Sequence, residues 1–172
     1  MSEREARQQV VACIPSLRRY ARALVGDVQR ADDLVQDTLE RALLRLHLWH
    51  GDGDMRAWVF TIMHNLNANL VRRLARGPAF VPLLAEESAP EPATPAAEAS
   101  VQLHELERAL QRLPEKQREV LVLVAVEQLS YREVAKVLEV PIGTVMSRLS
   151  RAREELRRTL SDDQRPRLWS VK

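Results

Sequence analysis

Apolar residues recur every three or four positions along most of this chain, the spacing of one face of an α-helix. Two such helices are predicted near the N-terminus. The inward positions of the first are Ile14, Leu17, Ala21 and Leu24, and those of the second are Val35, Leu39, Ala42 and Leu46. Two glycines in "HLWHGDGDMRAW" then break the pattern, and Asp54 is placed to cap a third helix from Met55 to about Arg76. The inward positions of this third helix are Val59, Ile62, Leu66, Leu70 and Leu74.

The same periodicity returns in the C-terminal part of the chain. Leu103, Leu106, Leu110 and Leu113 predict one helix, and Pro114 is suited to begin the next. The run from Leu121 to Val126 has the composition of a strand. Because it continues a helical pattern and has no second strand to pair with, we predict a buried helix there.

A helix-turn-helix unit is predicted after this helix. Ser130 and Glu133 have the spacing of a capping box, followed by a short helix from Tyr131 to Leu138 with Val134, Ala135 and Leu138 inward. Only Glu139 and Val140 separate it from Pro141, which marks the next helix, so the two helices must cross steeply. The inward stripe of the second helix is Ile142, Val145, Leu149, Ala152 and Leu156.

The segment between the two helical parts has a different composition. Residues 77–100 contain five of the nine prolines, four acidic residues and no Lys or Arg. Such a segment lacks the apolar surface to offset its ordering entropy, so it is expected to be a flexible acidic linker. We therefore expect two small helical domains, 1–76 and 101–160, and a tail, 161–172.

Composition supports an all-α fold and narrows the class of protein. Aromatic residues make up only 4% of the chain, and there are five glycines. The single cysteine cannot form an intramolecular disulfide, and no paired Cys or His spacing suggests a zinc site. No apolar run approaches the length needed to span a bilayer, so the expected location is the cytoplasm.

Three polar surfaces are candidates for function, each with a plainer interpretation as a solvated face. The predicted second helix has an acidic row, suited to a partner, at Asp33, Gln36, Asp37 and Glu40. The third helix has a row of amides and guanidiniums beside two tryptophans, Trp49 and Trp58, types that stack on and guide single-stranded bases. The last helix places Thr144, Ser147, Arg148 and Arg151 opposite its apolar stripe, as in helices that read the major groove.

Four stretches in a fixed order carry a family resemblance. They are "RYARALVGDVQRADDLVQDTLERAL", "RAWVFTIMHNLNANLVRR", "LPEKQREVLVLV" and "SYREVAKVLEVPIGTVMSRLSRAREEL", and with the segments between them they span nearly all of residues 10–158. With these stretches the chain resembles the bacterial sigma-70 family, specifically its small extracytoplasmic-function (ECF) subgroup. The resemblance implies a non-enzymatic initiation factor, without a cofactor, that binds core RNA polymerase and promoter DNA and is held by an anti-sigma factor.

The resemblance also implies roles for particular residues. The acidic row would contact core polymerase. The melted single strand of the minus-10 element would be captured by Trp58, Asn65, Asn69, Arg72, Arg73 and Arg76, with a base flipped into a pocket that includes Asn65. The minus-35 duplex would be read by Ser147, Arg148, Ser150 and Arg151, with Thr144 on a phosphate. The acidic linker would thread the polymerase's RNA path, although a plain tether has the same composition.

Four positions depart from the family pattern. Asn69 stands where Asp is usual, Met146 where Lys or Arg is common, and Ser150 where a larger aromatic or His side chain is common. The resemblance therefore does not imply a particular promoter preference. Glu139 takes a turn position that is commonly Gly, where a positive φ would cost about 1–2 kcal/mol.

Three other classes of protein account for less of the sequence. A stand-alone helix-turn-helix regulator would leave the N-terminal domain unexplained. A sigma-like decoy that sequesters an anti-sigma factor would need only the docking surfaces, not the tryptophans and the arginine face. An enzyme fits worst, since the four histidines have no nucleophile or carboxylate at a catalytic spacing.

Overall fold

The computed structural model describes residues 2–51, 53–76 and 105–163, which form helices joined by turns without a strand. The predicted all-α class is confirmed. The N-terminal domain consists of α1 (Glu3–Ala12), α2 (Ile14–Val25), α3 (Val28–Leu44), a short 3-10 helix (Leu46–Leu48) and α4 (Met55–Arg76). The C-terminal domain consists of α5 (105–112), α6 (Glu115–Leu121), a π-helix (Val122–Val126), α7 (Tyr131–Val137) and α8 (Ile142–Asp163). The predicted linker, 77–100, lies outside the described residues, and α8 ends beyond the domain limit expected at residue 160.

Side chains and glycine fix where the N-terminal helices begin and end. Gly26 ends α2 in the left-handed region at φ 74°, and Asp27 then caps α3 by accepting a 2.8 Å hydrogen bond from the Arg30 N–H. Asp54 caps α4 in the same way, through the Arg56 N–H at 2.9 Å, as the sequence predicted. The sequence pattern did not predict α1, which begins with a capping box formed by Ser2 and Glu5.

The core of the N-terminal domain lies where α2, α3 and α4 meet. Leu17, Ala21 and Val59 are buried at their predicted inward positions. Tyr20 and Phe60 pack edge to face there, with ring centroids 5.2 Å apart. Leu74 was predicted inward but is 40% exposed, because it lies in the last turn of α4, where no other described helix covers it.

In the C-terminal domain the predicted buried helix changes its winding. It is α-helical to Leu121 and then forms the π-helix, so Val122 and Leu123 are buried while Val126 is 46% exposed. The prediction of a helix is confirmed, but its last turn is not buried. Gln128 then reverses the chain with φ 57°, and the Leu129 N–H donates to the Leu123 carbonyl.

The helix-turn-helix forms as the spacing predicted. Ser130 and Glu133 make the capping box, and Glu139 has φ 52° in the turn between α7 and α8. Val145, Leu149 and Ala152 are buried along α8. Ile142 was predicted inward but is 44% exposed, since it lies in the first turn of α8, ahead of the part that packs on α6 and α7.

The two domains pack against each other. Helix α4 contacts α7, and α2 contacts α6 and the π-helix, so one buried apolar cluster runs through both domains. Phe60 and Met63 are also buried, although they lie off the predicted inward stripe of α4. At the edge of the contact, His64 is 3.0 Å from Glu119, and Asn67 donates to Glu115 at 3.1 Å. The described structure is therefore a closed arrangement of the two domains.

Candidate polymerase and nucleic-acid interfaces

The predicted acidic row on α3 is exposed to solvent. Asp33, Gln36, Asp37 and Glu40 are all exposed, while Leu34, Val35 and Thr38 on the same helix are buried. Thr38 turns its hydroxyl back to the Leu34 carbonyl at 2.7 Å, so a polar residue is accommodated in the core side of the helix. The helix thus presents three carboxylates and an amide to solvent on a rigid element.

A pocket of about 330 Å³ lies between α3 and α4 and brings together residues from both. Trp58, Asn65 and Asn69, all predicted to meet the minus-10 strand, line one side of it. Arg41 and Arg45, from the end of α3, line the other side together with Leu48. An aromatic face, amide groups and two guanidiniums around one cavity suit an unstacked base and its flanking phosphates.

The sequence pattern did not single out Arg41 and Arg45. Arg41 follows the acidic row directly, and Arg45 lies one turn further, so both had the appearance of ordinary helix-end cations. Their position became evident only once α3 and α4 packed side by side. The signal available in the sequence was the change from acidic to basic residues along α3.

The remaining predicted minus-10 residues lie along the exposed end of α4. Arg72 donates to the Asn69 side-chain oxygen at 2.9 Å and to the Ala68 carbonyl at 3.1 Å. The side-chain oxygen of Asn69 thus accepts the hydrogen bond that a carboxylate would, while its amide nitrogen remains a donor. Arg73 and Arg76 are exposed.

A second, larger groove of about 760 Å³ connects the acidic and basic surfaces. Asp33 and Asp37 lie on its α3 wall, and Asn69, Arg72, Arg73 and Arg76 lie on its α4 wall. Arg30 and Arg41 complete its rim. Two of the predicted polymerase contacts therefore border the predicted DNA contacts, whereas Gln36 and Glu40 do not line this groove.

The two tryptophans near the turn between the 3-10 helix and α4, Trp49 and Trp58, form a pair. Their ring centroids are 5.7 Å apart with planes tilted by 45°, and both rings are partly buried. Trp49 follows the 3-10 helix and Trp58 lies in the first turns of α4, so the pair fixes the turn between them. Asp52 of this turn lies outside the described residues.

The predicted minus-35 residues share one side of α8. Ser147, Ser150 and Arg151 are exposed, and Thr144 and Arg148 are partly buried. The Ser147 hydroxyl donates to the Thr144 carbonyl at 3.1 Å, which leaves its oxygen as an acceptor facing solvent. Because Val145, Leu149 and Ala152 anchor the opposite side, the basic side is held outward on a rigid helix.

Two further features bear on the class of protein. Among residues 2–51, 53–76 and 105–163 there is no cluster of three or more His, Cys, Asp or Glu side chains that could hold a metal ion. Over the same described residues, no helix combines the length and apolar character that a membrane crossing requires.

The fold and these surfaces define a helical protein of two domains, one with a helix-turn-helix, suited to binding nucleic acid. Two family models match it: the Sigma2 domain of PhyR over residues 10–64, and sigma-70, region 4, over residues 103–156. The ECF RNA polymerase sigma factor EcfG of Rhodopseudomonas palustris (strain TIE-1) is 36% identical over 155 residues, covering 87% of this chain and 82% of that protein. The chain belongs to the ECF family of RNA polymerase sigma factors.

Solved structures agree with this assignment. The sigma factor RpoE from Bartonella quintana, in complex with the anti-sigma factor NepR, matches with a TM-score of 0.74 at 30% identity, covering 91% of this chain and 97% of that one. The anti-anti-sigma factor PhyR, complexed with NepR from the same organism, shares the fold with a TM-score of 0.58 at 16% identity. That likeness covers 89% of this chain and 50% of PhyR. Sigma factors are DNA-binding initiation factors and not enzymes.

Proposed function

We propose that this sigma factor docks on core RNA polymerase through α3, captures the melted minus-10 strand between α3 and α4, and reads the minus-35 duplex with α8. The observation that carries this proposal is the pocket lined by Trp58, Asn65 and Asn69 beside the acidic row. With these roles, single-strand capture would occur next to polymerase docking. The expected location is the cytoplasm, where both partners are found.

Docking through α3 is supported by exposure and charge. The carboxylates of Asp33, Asp37 and Glu40 form no ion pair among the contacts described for residues 2–51, 53–76 and 105–163, whereas the neighbouring Asp32 lies 3.9 Å from Arg18. An exposed acidic helix suits a basic or polar surface on the polymerase, and electrostatic steering would speed the encounter. Gln36 would add a hydrogen bond at the centre of the row.

Capture of the minus-10 strand requires contacts in the pocket that offset the free-energy cost of unstacking a base. Unstacking costs a few kcal/mol. Stacking on an aromatic ring such as Trp58 returns about 1–3 kcal/mol, and hydrogen bonds from Asn65 and Asn69 add to it. Arg41, Arg45, Arg72, Arg73 and Arg76 would hold the phosphates on either side of the base.

Reading of the minus-35 element by α8 follows from the turn that precedes it. The turn at Glu139 projects the first turns of α8 away from α7, and the exposed Ser147, Ser150 and Arg151 would face base edges. Arg148 and Arg151 can each bind a guanine through two hydrogen bonds. Thr144 lies nearer the start of α8 and would contact a phosphate.

An anti-sigma factor is a further partner in this proposal. It is supported by the likeness to a sigma factor that was solved in complex with an anti-sigma factor. Its surface on this chain would overlap the docking and DNA-binding faces, since masking either one prevents initiation.

A second candidate function is that of a decoy for an anti-sigma factor. The match of residues 10–64 to the Sigma2 domain of PhyR favours it, because the PhyR solved from Bartonella quintana is an anti-anti-sigma factor. A decoy has no use for a pocket lined by Trp58, Asn65 and Asn69 or for an exposed Arg151 on α8, and this chain has both features. The initiation factor therefore explains more of the structure.

A binding experiment separates the two functions. A labelled fork DNA would be used, with a minus-35 duplex and a single-stranded minus-10 element, and its binding to core polymerase would be measured with and without this protein. We expect a complex that needs both proteins and that Trp58→Ala or Asn65→Ala weakens. Binding of an anti-sigma factor without any effect on fork DNA would favour the decoy.

A further inference from the structure

An exposed methionine lies at the border of the α8 surface that is proposed to read the minus-35 duplex. Met146 is 53% exposed, although methionine is among the residues most often found in protein cores. It comes one residue before Ser147 and four before Ser150, which are both exposed. Residues four apart are neighbours on a helix, so Met146 and Ser150 lie about 40° apart around the axis of α8. The predicted reading surface of hydroxyls and guanidiniums therefore has an apolar border.

Met146 lines a shallow pocket of about 360 Å³ between the start of α7 and the side of α8. Tyr131 is the first residue of α7 and lines the pocket together with Leu149 and Ser150 of α8. Three charged residues lie about 10–17 Å further along α8 than Met146, namely Arg153, Glu154 and Arg157. The pocket is thus apolar beside Met146 and charged at its far end.

Two of the positions where this chain departs from the family pattern, 146 and 150, meet in this pocket. A Lys or Arg at position 146 would place a charge at the border of the reading surface. A large aromatic or His side chain at position 150 would occupy the space beside it. Methionine has no hydrogen-bond donor and serine has a short side chain, so this chain leaves room for a small apolar group next to the reading residues.

Thymine is the base that presents such a group in the major groove, its C5-methyl. The methionine side chain is unbranched and polarizable, so it can adapt its shape to a methyl group. A guanine at the same place would present two acceptors, N7 and O6, for which Met146 has no donor. Leaving such acceptors without a partner lowers affinity. Apolar contact and the lack of a donor therefore both favour thymine.

We propose that Met146 is a specificity-determining residue that contacts the C5-methyl group of one thymine in the minus-35 duplex, with Tyr131 and Ser150 shaping the space around that methyl group. The proposal rests on the proposed function, because it requires α8 to lie in the major groove. Arg148 and Arg151 supply the hydrogen bonds to guanine, and Met146 adds a preference for thymine at a neighbouring base pair. The element that this chain reads therefore has a fixed thymine whose methyl group contributes to affinity.

The test uses full-length protein bound to core polymerase. A fork DNA library, randomised in the minus-35 duplex and in the single-stranded minus-10 element, is selected for binding and sequenced. Each thymine of the selected minus-35 element is then replaced by uracil, which lacks the methyl group and keeps the same base pairing. Affinities are compared for the wild type, Met146→Ala and Ile142→Ala. The last variant is the matched control, because Ile142 is 44% exposed on the same helix and does not line the pocket.

We expect uracil at one fixed position to weaken binding of the wild type about fourfold, the factor that corresponds to one methyl group moved from water into an apolar contact. Met146→Ala should bind the thymine and uracil forks equally, whereas Ile142→Ala should retain the fourfold difference. Met146→Lys should also lose the difference, and forks selected with it should no longer have that thymine fixed. Since Met146 is more than half exposed, its replacement should leave the melting temperature unchanged.

A selected minus-35 element without a thymine, or with no position at which uracil weakens binding, would overturn the proposal. A uracil effect that persists in Met146→Ala would overturn it as well, since another residue would then contact the methyl group. Both results leave the reading of the minus-35 duplex by α8 intact. If selection enriches a minus-10 sequence and no minus-35 sequence, the proposed function of α8 itself fails, and the role of Met146 fails with it.

Discussion

Arg118 of the C-terminal domain donates a 2.9 Å hydrogen bond to the carbonyl oxygen of Leu24, in the last turn of α2. Gln111 donates to the neighbouring Ala23 carbonyl at 2.8 Å and accepts from Arg118 at 2.9 Å. The last carbonyls of a helix have no partner within it, so side chains of one domain here complete a helix of the other. Burial lowers the pKa of the Arg118 guanidinium, and the nearby carboxylates of Glu115 and Glu119 oppose that change.

Replacing Arg118 by Met should destabilise the closed protein. The substitution keeps most of the aliphatic volume but leaves the Leu24 and Gln111 carbonyls without their donor, at a cost of about 1–3 kcal/mol. Urea unfolding followed by circular dichroism would measure the loss. The control is Lys116→Met, at an exposed position in the same helix. A loss no larger than that of the control would show that the contact does not stabilise the domain pair.

Glu139→Gly should stabilise the helix-turn-helix. Glu139 is exposed and has φ 52°, a conformation that costs a side-chain-bearing residue about 1–2 kcal/mol. Glycine removes this strain but loses more backbone entropy on folding, so the expected net gain is at most about 1 kcal/mol. Chemical denaturation would measure it. Glu139→Ala keeps the strain and should give no gain, and equal stability of the two variants would contradict the explanation.

The capping box before α7 should make stability depend on pH. Hydrogen bonds from the Ser130 hydroxyl and backbone lower the pKa of Glu133 below 4.5. A lowered pKa in the folded state stabilises the fold above the unfolded pKa, and the effect is lost as pH falls through the folded value. The stability difference between wild type and Glu133→Gln should thus be present at pH 7 and shrink toward pH 3. A difference that is constant with pH would exclude a role for the charge.

Removal of the Ser130 hydroxyl tests the same capping box through its other residue. Ser130→Ala takes away the acceptor for the Glu133 N–H and the donor to its carboxylate, and should cost about 1 kcal/mol. Thermal unfolding would detect it. A melting temperature equal to that of the wild type would show that the capping box does not stabilise α7.

Arg151→Ala should weaken the use of promoters in proportion to their dependence on the minus-35 element. Loss of two hydrogen bonds to a guanine corresponds to about 1–3 kcal/mol. Transcript yield on promoters with intact and scrambled minus-35 elements would measure it. The control is Arg132→Ala, which removes an exposed arginine of α7 outside the predicted reading residues. An unchanged preference for the intact element would remove Arg151 from the reading set.

Asp37→Arg should abolish binding to core polymerase without unfolding the protein. The residue is exposed at the centre of the acidic row, so charge reversal adds repulsion without disturbing the core. The affinity for core polymerase and the melting temperature would be measured together. Glu105→Arg makes the same charge change at an exposed position of the other domain. Wild-type affinity in Asp37→Arg would exclude the docking role.

Local features of the fold followed from the sequence. The Ser130 and Glu133 capping box and the Asp54 cap each depend on residues a few positions apart, and spacing alone reveals them. The family resemblance marked Glu139 as a turn position that is commonly Gly, and its φ is 52°. The pocket beside Asn65 was predicted from the family resemblance, and the structure brings Trp58, Asn65 and Asn69 together. The roles of these residues remain predictions.

The closing of the two domains did not follow from the sequence. Arg19 and Glu127, which form an ion pair between the domains, are 108 positions apart, and periodicity carries no information on such a contact. One weak signal of this contact was present. Glu119 and Glu127 lie at the two ends of an apolar run, and a carboxylate that is buried together with such a run needs a partner. The exposure of Ile142 and Leu74 was missed for a related reason. A helix-wide apolar stripe does not show where the neighbouring helices stop.

The most direct measurement is multi-round transcription with bacterial core polymerase on a library of genomic or randomised promoters, with and without this protein, followed by sequencing of the transcripts. We predict new start sites that share two elements at a fixed spacing, one upstream of the other. Reduced use of these sites by Asn65→Ala and Arg151→Ala would connect each element to its surface. A demonstrated complex with core polymerase that produces no new starts would contradict a role in promoter recognition.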